Sequence, residues 1–133
     1  MASKLFKKIL IATDGSEYTK NSVDYGIDLA KNTGAGLHAI YVVDTAAFAW
    51  QEGDEATKYV ADKAQAEGLE VDRNTIEGHP ADEIIKYAEK NSMSIIVMGT
   101  LGKSGLDRFL LGSVAEKVVR NSKIPVLVVR GKK

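Results

Sequence analysis

The chain has 133 residues, of which 44% are hydrophobic and 27% are charged, as is typical of a water-soluble globular domain. Its 18 basic and 18 acidic side chains cancel, so net charge gives no case for binding nucleic acid or an anionic membrane. The absence of cysteine excludes disulfides and thiolate metal sites. Since no apolar run approaches the ~18 residues of a transmembrane helix, we expect one domain over residues 1–133 and a cytoplasmic location.

Short aliphatic runs alternate with stretches of helical periodicity along the whole chain. The runs predict strands, and apolar residues spaced three or four apart predict amphipathic helices. We predict strands at 9–12, 37–43, 71–76, 95–98 and 126–129, helices at about 17–32, 54–67, 80–91 and 114–121, and loop or frayed helix at 45–53. This alternation predicts an α/β protein in which helices cover both faces of an open parallel sheet.

Two of the predicted strands have the features of sheet edges. The strand at 71–76 alternates polar and apolar residues, as expected where one face meets solvent. The strand at 126–129, the last in the chain, is entirely apolar. A bare apolar edge of this kind invites pairing with another chain.

A glycine-rich segment separates the fourth strand from the last helix. Gly99, Gly102, Gly105 and Gly112 allow the backbone positive φ angles and let N–H groups converge at the start of the helix, where a phosphate binds well. Ser113 is predicted as the N-cap, with its hydroxyl and the first helical amides sharing a phosphate oxygen. The alternative is an ordinary loop, since glycine clusters after strands commonly bind nothing.

Several better-known motifs can be excluded. Gly102-Lys103-Ser104 is like the end of a Walker A loop, but the first glycine of that motif would fall on Val97. The dinucleotide pattern G-x-G-x-x-G fails because two residues separate the first two glycines, and the hydrolase pattern G-x-S-x-G is absent. His38 and His79 have no partner at zinc-binding spacing, so they are interpreted as surface or hydrogen-bonded side chains.

Asp14 directly follows the first strand, in the sequence Thr13-Asp14-Gly15-Ser16. An acid at the carboxyl end of a central strand is well placed to contact a ligand. It is equally typical of an Asx-turn at the entry to a helix, which needs no ligand. The residues alone leave both interpretations open.

The spacing Gly99-x2-Gly102-x9-Gly112-Ser113 resembles the nucleotide-binding signature of the universal stress protein family. Other segments resemble that family in the same order: KILIATDGS at 8–16, YVVD at 41–44, GHPA at 78–81 and IPVLVV at 124–129. The resemblance therefore covers nearly the whole chain. It implies one universal stress protein domain of the adenine nucleotide alpha hydrolase-like fold, with strand order 3-2-1-4-5 and a crevice between strands one and four.

The resemblance also implies that ATP or another adenine nucleotide lies in this crevice, with Mg²⁺ carried on its phosphates. Asp14 would approach the ribose or the metal–phosphate end, and Ala12 and Thr13 would place backbone beside the base. Val42 would bond the adenine edge through its backbone, and Met98 would pack on the nucleoside. The residues implied around the nucleotide are Ala12, Thr13, Asp14, Val42, Met98, Gly99, Leu101, Gly102, Lys103, Gly112, Ser113 and Val114.

Three further residues bear on the phosphate end. Lys103 and Arg108 flank the glycine-rich segment, either as partners of the phosphates or as a solvated rim. Leu101 stands where the family often has a basic or imidazole residue, which removes one phosphate partner.

The function implied by the resemblance is regulatory, stress-response binding of ATP with little or no hydrolysis. Phosphoryl transfer needs a positioned base and charge stabilisers, and the sequence offers no evident base for water. The resemblance further implies a two-fold homodimer through strand 126–129 and a protein partner. The alternatives are an interaction module that binds no nucleotide, a slow ATPase, and a phospho-accepting receiver domain, for which the expected second acid beside Asp14 and acceptor aspartate after the third strand are missing.

Overall fold

A computed structural model describes residues 3–44, 50–100 and 111–131. Five strands alternate with four helices, and all strand pairs are parallel. The strands are β1 Lys8–Ala12, β2 Gly36–Val43, β3 Val71–Glu77, β4 Ile95–Gly99 and β5 Val126–Val129. The helices are α1 Lys20–Thr33, α2 Trp50–Gln65, α3 Pro80–Lys90 and α4 Ser113–Asn121, with a 3₁₀ turn at Glu17–Thr19. The sheet order β3-β2-β1-β4-β5 confirms the predicted fold class.

Alternate side chains of each strand pack on opposite faces of the sheet. Ile9 and Ile11 of β1 lie in one apolar cluster with α1 and α2, whereas Leu10 and Ala12 lie in another with α3 and α4. Strands covered on both faces are expected to be continuously apolar, which explains the composition of β1 and β4. Within the described residues, no helix is long and apolar enough to cross a membrane.

The two edges of the sheet differ in polarity, as predicted. At one edge, β3 exposes Asp72, Arg73 and Asn74 to solvent. At the other edge, β5 presents Val126, Leu127 and Val128, all of them half-buried. Charged edges discourage strand addition, and apolar edges permit it.

Helix α1 starts later than predicted, and α2 includes residues 50–53, for which loop or frayed helix was predicted. Helix α1 begins at Lys20, because residues 17–19 form a tighter turn in which the Thr19 N–H donates to the Ser16 carbonyl at 3.2 Å. Helix α2 begins at Trp50 rather than at residue 54. A Cβ at Gly53 would lie 2.7 Å from Cγ2 of Thr75, so this glycine permits close packing within the helix and does not mark its start.

Candidate functional site

β1 and β4 lie side by side in the sheet, at the point where a crevice is expected. The chain leaves β1 for α1 on one face of the sheet and leaves β4 for α4 on the other face. Ligands of open α/β sheets bind at the carboxyl ends of strands at such a switch point. Residues 13–16 after β1 form one side, here named the β1 wall, and residues 112–115 at the start of α4 form the other, the α4 wall.

The β1 wall is a hydrogen-bonded turn. Oδ1 of Asp14 accepts the Ser16 backbone N–H at 2.9 Å and the Ser16 hydroxyl at 2.6 Å, which is an Asx-turn. Gly15 has φ +78°, an angle that favours glycine. Among the described residues, none donates a hydrogen bond to Oδ2 of Asp14. The interpretation of Asp14 as an Asx-turn residue is therefore correct for Oδ1.

The 3₁₀ turn Glu17–Thr19 lies between the β1 wall and the end of β4. Oγ1 of Thr19 is 3.2 Å from Oγ1 of Thr13 and donates to the Ser16 carbonyl at 3.0 Å. A Cβ at Gly99 would lie 3.2 Å from the Tyr18 carbonyl oxygen and 3.3 Å from Cγ2 of Thr19. Gly99 thus permits a close approach of the backbone at residues 18 and 19. A positive φ angle, which the sequence suggested for these glycines, is not found at Gly99 or Gly112.

The α4 wall starts one residue earlier than predicted. Gly112, with φ −63° and ψ 157°, is the N-cap, and its carbonyl accepts the Glu116 N–H at 2.9 Å. Ser113 is therefore the first helical residue, and its assignment as N-cap is wrong. No described side chain caps this helix. The N–H groups of Ser113, Val114 and Ala115 consequently lack an acceptor within the helix.

The α4 wall is attached to the sheet by two backbone hydrogen bonds. The Gly112 N–H donates to the Thr100 carbonyl at 2.6 Å, and the Thr100 N–H donates to the Val129 carbonyl at 3.1 Å. These bonds fix the start of α4 relative to β4 and β5. The sheet therefore fixes the direction of the three α4 amides that have no helical acceptor.

The structure brings the apolar members of the predicted set together. Ala12 and Met98 are buried in the cluster beneath α3 and α4, and Val42 and Val114 pack against that cluster half-buried. They lie on the same face of the sheet as the α4 wall. The predicted residues Leu101, Gly102 and Lys103, together with Gly105 and Arg108, lie outside the described residues.

A cavity of about 210 Å³ lies on the opposite face, between the β1 wall and α2. Its lining includes Lys20 and Tyr59, and the Lys20 ammonium is 2.6 Å from Oε1 of Glu17 and 5.0 Å from the Tyr59 ring centre. The hydrogen bond that Lys20 donates to the Glu17 carboxylate raises the pKa of Lys20 above its ordinary value. Sequence reasoning missed this cavity, because no motif marks a space that arises only when α2 packs on the turn.

Neither histidine has the surroundings of a metal ligand. Nδ1 of His38 is 2.8 Å from the Tyr87 hydroxyl, and His79 is exposed at the start of α3. Burial lowers the pKa of His38 below its ordinary value, although Asp72 at 3.7 Å acts in the opposite direction. In the described part of the chain, no three His, Cys, Asp or Glu residues are grouped to hold a metal ion.

These features describe a doubly wound α/β protein. At the switch point of its sheet, α4 begins with three amides that have no helical acceptor. The model of the universal stress protein family matches residues 5–130, and the chain belongs to that family. Universal stress protein MJ0531 of Methanocaldococcus jannaschii is 44% identical over 141 residues, which cover 95% of this chain and 83% of that protein.

Solved structures agree with this assignment. The structure of MJ0577, also from Methanocaldococcus jannaschii, has a TM-score of 0.87 and 29% identity, with 97% of this chain and 99% of that one covered. A universal stress protein crystallised in complex with cAMP has a TM-score of 0.80 and 26% identity, with 97% and 100% covered.

Proposed function

We propose that this chain binds an adenine nucleotide, ATP with Mg²⁺ carried on its phosphates, in the crevice between the β1 wall and the α4 wall. The observation that carries the proposal is the start of α4, which no side chain of the described residues caps. Three successive amides, those of Ser113, Val114 and Ala115, lack helical acceptors at the positive end of the helix dipole. Phosphate oxygens are suited to accept hydrogen bonds from such amides.

Gly112 fits the same role. Its φ and ψ angles are accessible to any residue, so the backbone conformation does not require glycine. A glycine here leaves the space in front of the amides free of a Cβ atom. The site therefore suits a bulky anion such as a phosphate group.

The remainder of the nucleotide also finds suitable groups. Ala12, Val42 and Met98 give an apolar surface near the ends of β1, β2 and β4, against which a nucleobase could pack. Oδ2 of Asp14 could accept from a ribose hydroxyl or bind the cation on the phosphates. The relative crystallised with cAMP binds a molecule that contains adenine, ribose and phosphate.

The proposed role is regulatory, with little or no hydrolysis. Nucleotide binding would join two walls that otherwise contact each other through the 3₁₀ turn, and would shift the population towards one arrangement of the crevice surface. A partner protein could recognise that surface.

The slow ATPase alternative predicts that the wild-type protein releases phosphate from ATP and that Asp14→Ala does not. Binding without hydrolysis predicts no phosphate release from either protein.

Titration calorimetry tests the proposal. The protein is first freed of any small molecule that copurifies, which mass spectrometry identifies. ATP, AMP and cAMP are then titrated with and without Mg²⁺. Saturable binding of at least one adenine nucleotide supports the site, and no binding of any of them favours the interaction module that needs no nucleotide.

We further propose a homodimer through β5. Val128 and Ile76 are half-buried β-branched residues in the same apolar cluster, but Val128 lies on the apolar edge strand and Ile76 on the polar one. We expect Val128→Lys to give monomers in analytical ultracentrifugation and the matched Ile76→Lys to leave the dimer intact. Equal behaviour of the two variants would exclude pairing through β5.

A further inference from the structure

Two buried threonines connect the β1 wall to the 3₁₀ turn. Thr13 and Thr19 are only 8% and 5% exposed, and their hydroxyl oxygens are 3.2 Å apart. Neither residue lies in the glycine-rich segment, and no sequence motif singles out Thr19. Burying a hydroxyl group is costly unless it makes hydrogen bonds with neighbouring groups.

The directions of these hydrogen bonds follow from counting protons, since each hydroxyl has one to donate. Thr19 donates its proton to the Ser16 carbonyl at 3.0 Å. The proton between the two threonines therefore comes from Thr13, whose oxygen also accepts the Gly15 N–H at 3.1 Å. A directed chain runs from Gly15 through Thr13 and Thr19 to Ser16, and it fixes the backbone that follows Asp14.

Thr19 also packs closely against the end of β4. Its Cγ2 lies 3.3 Å and its Cα 3.5 Å from the position of a Cβ on Gly99, the last residue of β4. The next residue, Thr100, accepts the hydrogen bond from Gly112 that fixes the start of α4. Thr19 is thus in contact with the turn that carries Asp14 and with the strand that holds the α4 wall.

We infer that Thr19 is a positioning residue of the nucleotide site, whose hydroxyl holds the Asp14 turn and whose carbon atoms support Gly99. The inference rests on the proposed function for its ligand, an adenine nucleotide. Thr19 acts through Asp14 and the α4 wall and needs no contact with the nucleotide itself.

Three substitutions separate the parts of this role. Thr19→Val keeps the branched shape and removes the hydroxyl, and Thr19→Ser keeps the hydroxyl and removes the methyl group. Thr57→Val is the matched control, because Thr57 is 2% exposed and its hydroxyl donates to the Gly53 carbonyl at 2.9 Å within α2. The control variant also loses a buried hydroxyl group, and it leaves the hydrogen bonds of Thr13 and Thr19 intact.

Amide hydrogen exchange in the nucleotide-free protein gives the first measurement. We expect Thr19→Val to accelerate exchange at Gly15 and Ser16 about ten-fold, because the hydrogen-bond chain that orders them is broken. Thr19→Ser and Thr57→Val should leave both rates within about two-fold of wild type. Unchanged rates in Thr19→Val would overturn the inference whether or not a nucleotide binds.

Calorimetric affinity gives the second measurement. We expect Thr19→Val to weaken nucleotide binding about ten-fold, with Thr19→Ser restoring most of the affinity and Thr57→Val retaining it. Equal losses in Thr19→Val and Thr57→Val would show a general effect of stability and overturn the inference. A wild-type protein without nucleotide affinity would overturn the proposed function, whereas normal wild-type affinity that Thr19→Val preserves would overturn only the role of Thr19.

Discussion

On the β1 wall, the Ser16 amide and hydroxyl and the Gly15 amide all donate to side chains of the same turn. On the α4 wall, three amides have no helical acceptor and no described side chain caps them. The amides of the first wall thus have partners within their own turn, whereas those of the second have no side-chain acceptor among the residues that the structure describes. The comparison teaches that, in the proposed site, the first wall would supply fixed geometry and the second would supply hydrogen-bond donors for the ligand.

A side chain at Gly112, in front of the α4 amides, should have the largest effect on nucleotide affinity. We expect Gly112→Val to weaken nucleotide binding about 100-fold or more, since at least two charge-assisted hydrogen bonds of about 1.5–3 kcal/mol each are lost. Calorimetry measures the affinity, and circular dichroism checks the fold. Gly36→Val is the matched control, because a Cβ at Gly36 would meet only the Lys7 carbonyl, at 3.8 Å. Unchanged affinity in Gly112→Val would contradict the assignment of the α4 wall.

Disturbing the contact between the walls should mainly lower stability. We expect Gly99→Ala to reduce the free energy of unfolding by about 1–3 kcal/mol, because its Cβ would press on the Tyr18 carbonyl and on Thr19. Urea denaturation measures the loss. Gly68→Ala is an imperfect control, since Gly68 has open space but a φ of +78°. Full stability of Gly99→Ala would show that the 3₁₀ turn can move away from β4.

Removing the charge on the β1 wall should have a smaller effect. Asp14→Asn keeps an oxygen to accept from Ser16, so the turn and the melting temperature should be preserved. We expect nucleotide affinity to fall about ten-fold because the negative charge near the ribose and cation is lost. The same substitution at Asp28, exposed on α1, is the control. Wild-type affinity in Asp14→Asn would indicate that Asp14 serves the turn alone.

A pH change should have the smallest effect. It acts on the free energy of unfolding through His38, which lies outside both walls. The folded state holds the pKa of His38 below the value of 6.5 expected for the unfolded chain. The unfolded chain therefore binds more protons as the pH falls below 6.5, and the free energy of unfolding decreases with it. Above that pH the contribution is fully present. Denaturation at pH 7.5 and pH 5.5 should show that the free energy of unfolding decreases at the lower pH, and that the decrease is smaller in His38→Gln. A decrease of the same size in both proteins would show that groups other than His38 cause it.

The sequence predicted the repeating part of the molecule well. Val23, Ile27 and Ala30, spaced three or four apart on α1, are buried, and Gly34 ends that helix at φ 75°. Such features depend on local periodicity and local backbone preference. The strand order came from the family resemblance, because periodicity alone does not specify which strands are neighbours.

The site was predictable only in part. The positions of Asp14 and Gly112 followed from strand ends and glycine spacing, but the N-cap was misplaced because Gly112 has an extended backbone that any residue can adopt. Thr19 could not be found from sequence, since its contacts with Thr13 and Gly99 exist only when β1 and β4 are neighbours. Long-range contacts of this kind leave no local pattern.

The unequal edges of the sheet have a consequence for growth of assemblies. If two chains join through β5, each uses its apolar edge, and the outermost strands of the joined sheet are then the two copies of β3 with Asp72 and Arg73 exposed. Charges of both signs on an outer strand oppose addition of a further chain. The charged edge strand β3 would therefore prevent dimers joined through β5 from growing into fibres.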